Sequence, residues 1–124
     1  MILKVVTLMI ECGEIYYIKG DKRHSTGSEI WSGRPAIIIS SAESIRNQDT
    51  INIVYLTSSN HRKKYAVALD SEDFVYKKNL YDRHVALCAQ IHTVDKSRLG
   101  KYQGRLTDDE LTKVKQMVVE RTLF

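Results

Sequence analysis

The sequence predicts a mainly β fold with short helices: five or six short strands in a small, strongly bent sheet or barrel, and one C-terminal α-helix. Three observations carry this. Short runs rich in β-branched and aromatic residues recur between residues 14 and 91. Glycine and polar turn residues separate them. A single capped amphipathic segment follows from Thr107 onward. The length, 124 residues, suits one domain over residues 1–124.

Met1 to Ile10 is largely apolar, with Lys4 inside it. The run is too short to span a bilayer and lacks the basic start and small-residue cleavage site of a secretory signal. Residues 1–12 therefore read as a leading strand or an ordered tail. Glu14-Ile15-Tyr16-Tyr17-Ile18 reads as a strand. Lys19 to Gly33 is a long loop with three glycines, a length that in compact domains usually serves function. Ala36 to Ser40 is a continuous apolar run and predicts a buried strand, and Ser41 to Asn47 one or two helical turns.

Ile51 to Thr57 alternates Ile51, Ile53 and Tyr55 with Asn52, Val54 and Leu56, which predicts a strand covered on both faces. Tyr65 to Leu69 is a further short strand, and His84 to Ile91 another, ending near Thr93. Thr107-Asp108-Asp109-Glu110 is a capping box, with Thr107 as N-cap and Glu110 at the third helical position. The acids of this first turn complement the helix dipole. Leu111, Val114, Met117 and Val118 then form one apolar stripe. Such a stripe docks on the sheet or on a second subunit rather than forming a cofactor site.

Lysine and arginine number 19 against 15 acids, a net charge of +4. That surplus favours polyanionic partners and equally describes an ordinary soluble surface. Cys12 and Cys88 are distant and sit among apolar neighbours, so they read as buried reduced thiols of a cytosolic protein, not as a zinc site or disulfide. None of His24, His61, His84 and His92 is spaced as a metal-ligand pair. The chain holds no glycine-rich nucleotide loop and no nucleophile elbow, which removes support for those chemistries.

Arg34 stands where the long loop meets the apolar run, followed by Pro35. It reads as a phosphate clamp for charge developing at phosphorus, or as a surface salt bridge to Glu29. Thr57 ends its strand and reads as a hydroxyl donor to a phosphate oxygen, or as a turn cap. Ser58 and Ser59 are loop residues suited to backbone phosphate. His61-Arg62-Lys63-Lys64 is a basic loop, either an RNA-attracting patch or a solvated hairpin that keeps sheet edges apart. His24 and His92 have the titration range for acid–base work, although a lone histidine is more often structural. Trp31 suits stacking on a base, anchoring its loop or touching a protein partner.

Taken in order, these blocks resemble one family. Gly13-Glu14-Ile15-Tyr16-Tyr17, Gly27-Ser28-Glu29 and Gly33-Arg34-Pro35-Ala36-Ile37-Ile38-Ile39-Ser40 look like the MazF/PemK toxins of bacterial toxin–antitoxin systems. Leu56-Thr57-Ser58, Gln90-Ile91-His92-Thr93-Val94-Asp95-Lys96-Ser97-Arg98-Leu99-Gly100 and Gly104-Arg105-Leu106-Thr107-Asp108-Asp109-Glu110 continue the resemblance. Any one block is weak, but the ordered set covers about residues 13–120.

The resemblance implies an SH3-like small barrel with a C-terminal helix, usually a homodimer. It implies a cytoplasmic endoribonuclease that needs no metal or cofactor and cuts single-stranded RNA by 2′-hydroxyl attack. A cognate antitoxin would silence it. Position by position, Arg34 matches the family's catalytic arginine and Thr57 its catalytic threonine. Ser28 and Glu29 match the polar residues of the loop above the site, and Gln90 lies in a block expected at the RNA groove.

The chain departs from the family in two places. Ala89 stands where many members carry an acid, and His92 where many carry arginine. The expected general base is therefore missing, and His92, Glu29 or a substrate-bound water takes over part of the proton transfer. The alternatives are a non-catalytic gyrase poison of the CcdB type and a lapsed RNA- or protein-binding module of the same fold. The pairing of Arg34 with Thr57 argues against a gyrase poison, which needs no phosphate site.

Overall fold

The computed structural model describes residues 10–20, 33–57, 64–70 and 83–123. Its strands are β1 (Glu14–Ile18), β2 (Arg34–Ile38), β3 (Thr50–Thr57), β4 (Ala66–Asp70), β5 (Arg83–Leu87), β6 (His92–Asp95) and β7 (Leu99–Arg105). Helix α1 (Ala42–Asn47) lies between β2 and β3, and α2 (Asp108–Leu123) follows β7. The expected leading strand falls mostly outside the described residues; Ile10 and Glu11 are irregular, and Cys12 and Gly13 form a turn.

The strands form one antiparallel seven-stranded sheet in the order β4-β5-β3-β2-β1-β7, with β6 also on β3. Both faces are covered, as the alternation along Ile51 to Thr57 predicts. Ile51, Ile53 and Tyr55 join Tyr16, Ile18, Ala36, Ile38 and Val94 in one core. Val54 and Leu56 join Ile15, Ile37, Leu69 and Ala86 in the other. The helix α2 lays Leu111, Val114, Met117 and Val118 onto this second core, with Val114 fully buried. The stripe thus docks on the sheet of its own chain, and the result is the mainly β, helix-closed small-barrel type of fold that was expected.

The capping details are those of the sequence. Ser41 Oγ accepts from the Ser44 amide at the start of α1. Thr107 Oγ1 accepts from the Glu110 amide, and the Leu111 amide donates to the Thr107 carbonyl. The Glu110 carboxylate is buried and accepts from Lys113 Nζ at 2.7 Å.

The expected strand bounds need correction. The strand expected over Ala36 to Ser40 runs over Arg34–Ile38 instead. Arg34 pairs with Ile18 and Pro35 with Tyr17, so Arg34 is a strand residue and not the last residue of a loop. At the other end Ser40 leaves the ladder and its Oγ accepts from the Asn52 amide.

The strand expected over His84 to Ile91 stops at Leu87, and a separate strand begins at His92. Leu56 and Thr57 pair with Ala86 and Val85, whereas Thr50 to Ile53 pair with Asp95 to His92. Extra residues between these registers are taken up by a turn at Cys88 and Ala89, where the Gln90 amide donates to the Leu87 carbonyl. Hydrophobicity along this run is continuous, so composition does not show the break.

Strand β7 has no counterpart in the expectations. Lys101, Gln103, Arg105 and two glycines give it little β-propensity, and pairing with β1 holds it in place. Register shifts on both sides of Tyr16 accompany this pairing. Tyr65, expected in β4, precedes it in a turn with φ 62°.

Candidate functional site

The site grows out of the β2–β3 register. Ala36 lies opposite Tyr55, so two residues further along each antiparallel strand Arg34 lies on a line with Thr57. Period two puts Arg34, Tyr55 and Thr57 on the face that carries Ala36, Ile53 and Ile38. Thr57 is partly exposed at the end of β3 and pairs with Val85 of β5. The two residues singled out in sequence are thus brought to one end of one face.

His92 joins them from the other edge of β3. It pairs with Ile53, and its ring meets that of Tyr55 edge-on at 4.9 Å and 64°. On the β2 side the Arg34 guanidinium carbon stands 5.8 Å from the centre of the same tyrosine ring. Tyr55 is only 7% exposed, so two half-buried polar groups lean on one fixed aromatic. Burial, then the charges of Arg98 and Arg34, hold the His92 imidazolium below the usual histidine range. The imidazole is therefore neutral at neutral pH and able to accept a proton.

Arg98 is brought in by a short turn. Asp95 Oδ1 accepts from the Ser97 amide at 2.9 Å and caps the 3-10 helix Lys96–Arg98; this bond keeps its carboxyl below the ordinary range. Arg98 then donates from Nε to the Lys19 carbonyl at 2.9 Å, while the Lys19 amide donates to the Arg98 carbonyl at 2.8 Å. Arg34 and His92 thus share the Tyr55 ring, with the charge of Arg98 also acting on the imidazole and the Thr57 hydroxyl further along the same face of β3.

Other sequence candidates fall elsewhere. Gln90 is an exposed residue following the turn between β5 and β6. Ala89, where an acid was expected, offers its carbonyl to Arg121 Nε of α2 at 2.6 Å. Lys64 is exposed, with Nζ 5.2 Å from the centre of the Tyr65 ring. Ser28, Glu29, Trp31, Ser58, Ser59, His61, Arg62 and Lys63 lie outside the described residues. Among the described residues no three of His, Cys, Asp and Glu gather as a metal site, and no helix is long and apolar enough to cross a membrane.

Sequence reasoning did not single out Tyr55 or Arg98. Tyr55 had a readable signal, since an aromatic two residues before Thr57 in an alternating strand must share its face. Arg98 sat inside a matched block and was not assigned a role.

A short antiparallel sheet packed against a C-terminal helix, with an arginine and a histidine against one strand tyrosine, defines a small mainly β domain. The family described as PemK-like, MazF-like toxin of type II toxin-antitoxin system matches residues 11–120, and the chain belongs to it. Solved structures share the fold. MazF from Deinococcus radiodurans superposes with a TM-score of 0.70 at 18% identity, over 90% of this chain and 94% of that one. An endoribonuclease in complex with its cognate antitoxin, from a mycobacterial species, gives 0.68 at 20% identity over 90% and 93%. Mycobacterium tuberculosis toxin MazF-mt6 gives 0.67 at 14% identity over 87% and 94%.

Proposed function

We propose that this chain, as one domain, is the toxin of a type II toxin–antitoxin pair and acts as an endoribonuclease on single-stranded RNA. The observation that carries the reading is the β2–β3 register, with Ala36 opposite Tyr55, which carried two residues on sets Arg34 and Thr57 at the same end of one face. A bidentate guanidinium and a hydroxyl on one phosphate neutralise the charge that builds at a pentavalent phosphorus. The 2′-oxygen forms a bond to phosphorus as its proton leaves. The bond to the 5′-oxygen breaks, and the products are a 2′,3′-cyclic phosphate and a 5′-hydroxyl.

Membership of the family supports a cognate antitoxin as protein partner, a homodimer as the working form and no requirement for a metal or cofactor. The loop over Lys19 to Gly33, with Ser28, Glu29 and Trp31, and the basic loop from His61 to Lys64 are the proposed RNA guides, with Ser58 and Ser59 on backbone phosphate. Gln90 belongs with them. The target and the two free thiols, Cys12 and Cys88, fit a reducing cytoplasm.

The test is cleavage of a long single-stranded RNA by purified protein in EDTA, with the ends mapped. Discrete cuts bearing cyclic phosphate, lost in Arg34→Ala, support the proposal. Intact RNA together with inhibited gyrase would replace it with the gyrase-poison reading.

A further inference from the structure

Tyr55 has no role in the chemistry just described, yet it is the residue that Arg34 and His92 have in common. Its ring is set in the core formed by Tyr16, Ile18, Ala36 and Ile53, so it cannot swing without opening that core. The guanidinium carbon of Arg34 lies 5.8 Å from the ring centre and the His92 ring 4.9 Å from it. Arg34 comes from β2 and His92 from β6, the strands paired with the two edges of β3, and Tyr55 of β3 is the side chain that both of them touch. Resting on the ribonuclease reading above, we infer that Tyr55 is a positioning residue whose buried ring holds the phosphate clamp Arg34 and the proton acceptor His92 against one phosphodiester.

The groups acting on His92 from each neighbouring element are Arg34 of β2, Tyr55 of β3 and Arg98 of the 3-10 turn. Among the described residues no acid is one of these groups, and with Ala89 in place of the expected acid the imidazole is the described base at hand. In the step, the 2′-hydroxyl proton passes to the imidazole as the oxygen–phosphorus bond forms. The 5′-oxygen leaves with its electron pair and takes a proton from water. The imidazolium then returns its proton to the hydroxide so produced, and charge balances.

The ring does two things for this step. It removes water from one side of the imidazole, which favours the neutral form. It also limits the directions open to the guanidinium, which lowers the entropy lost on reaching the reactive geometry.

The test uses Tyr55→Leu, which keeps an apolar core residue and removes the ring, beside Tyr55→Phe, which keeps the ring. Three readouts are taken on full-length protein: kcat and KM on a short RNA spanning a mapped cut, the pH–rate profile, and the His92 imidazole titration by NMR. For Tyr55→Leu the expected result is kcat about tenfold down or more with KM within about twofold. The His92 titration and the acid limb of the profile both move up towards the ordinary histidine value. Tyr55→Phe recovers most of the lost rate. Wild-type kcat in Tyr55→Leu, an unmoved His92 titration, or equal loss in Tyr55→Phe overturns the inference. The titration stands apart from activity, so protein that cuts no RNA sinks the ribonuclease reading while Tyr55 is still judged. Tyr55→Met is read in the same way should the leucine variant fail to fold.

Discussion

Tyr17 closes over Gly33 so tightly that a Cβ at Gly33 would overlap both Cζ and Oη of the tyrosine. The Tyr17 backbone is also approached closely by Gly100 of β7, where a Cβ would meet the Tyr17 carbonyl oxygen at 2.9 Å. Gly33 is the residue before Arg34, so this contact sets how the chain enters β2. In Gly33→Ala the ring must give way, and at 36% exposure it has room to do so. The stability cost is therefore about 1 kcal/mol, the low end for overpacking, and melting falls by a few degrees. Turnover falls more steeply, since a shift of about 1 Å at the arginine costs up to about a hundredfold. Adding Tyr17→Ala to Gly33→Ala should restore rate. A double variant as slow as the single would show that the ring is not what displaces Arg34.

Arg34 and Thr57 should behave as one unit. Arg34→Lys keeps the charge and loses the planar fork, and its kcat is expected to drop by about a hundred- to a thousandfold with little change in melting. Thr57→Val loses the hydroxyl at nearly constant volume, and Thr57→Ser regains much of the rate. In the proposed mechanism both groups serve one phosphate, so the double variant Arg34→Ala/Thr57→Val should be barely slower than Arg34→Ala alone. Fully multiplicative losses in single-turnover assays would separate the two residues.

The depressed His92 imidazolium makes stability depend on pH with a definite sign. The folded chain binds this proton less readily than the unfolded chain does, so stability is fully present above the ordinary histidine range and is lost as pH falls through it. Asp95, also lowered, adds a loss of the same sign only in the more acidic carboxylate range. Melting temperature followed from about pH 7.5 down to about pH 5 should fall for the wild type and fall less for His92→Gln. Parallel curves would show that the imidazole is not perturbed by folding.

The core and most elements were legible because they rest on local signals. Alternation along β3 sorted Ile53 from Val54 onto two cores, and Thr107 announced α2. Arg34 and Thr57 stood out as polar residues at the ends of apolar runs. What escaped depends on pairing rather than on propensity. Strand β7, with glycine, lysine and glutamine, exists because β1 has an open edge to fill. The break between β5 and β6 exists because β3 takes two partners in different registers along one side. Tyr55 escaped as a site residue for a related reason. A strand tyrosine reads as core, and only the arrival of Arg34 and His92 from two other strands gives it a second role.

Gly13 ties the helix to the sheet, and its substitution separates two costs. Its amide donates to the Ile38 carbonyl, its carbonyl accepts from the Leu106 amide, and its φ is +94°. A Cβ there would also stand 2.9 Å from Cδ2 of Leu111, the first residue of the helical stripe. Gly13→Ala should lose about 1–3 kcal/mol for the backbone conformation, together with a smaller amount for pushing Leu111 out of its seat. The second cost disappears once Leu111 is shortened. In denaturant melts, Gly13→Ala/Leu111→Ala should therefore be more stable than the sum of the single losses, by about 0.5–1 kcal/mol. Strict additivity would mean that Leu111 moves aside freely and that the backbone angle alone requires glycine at this turn.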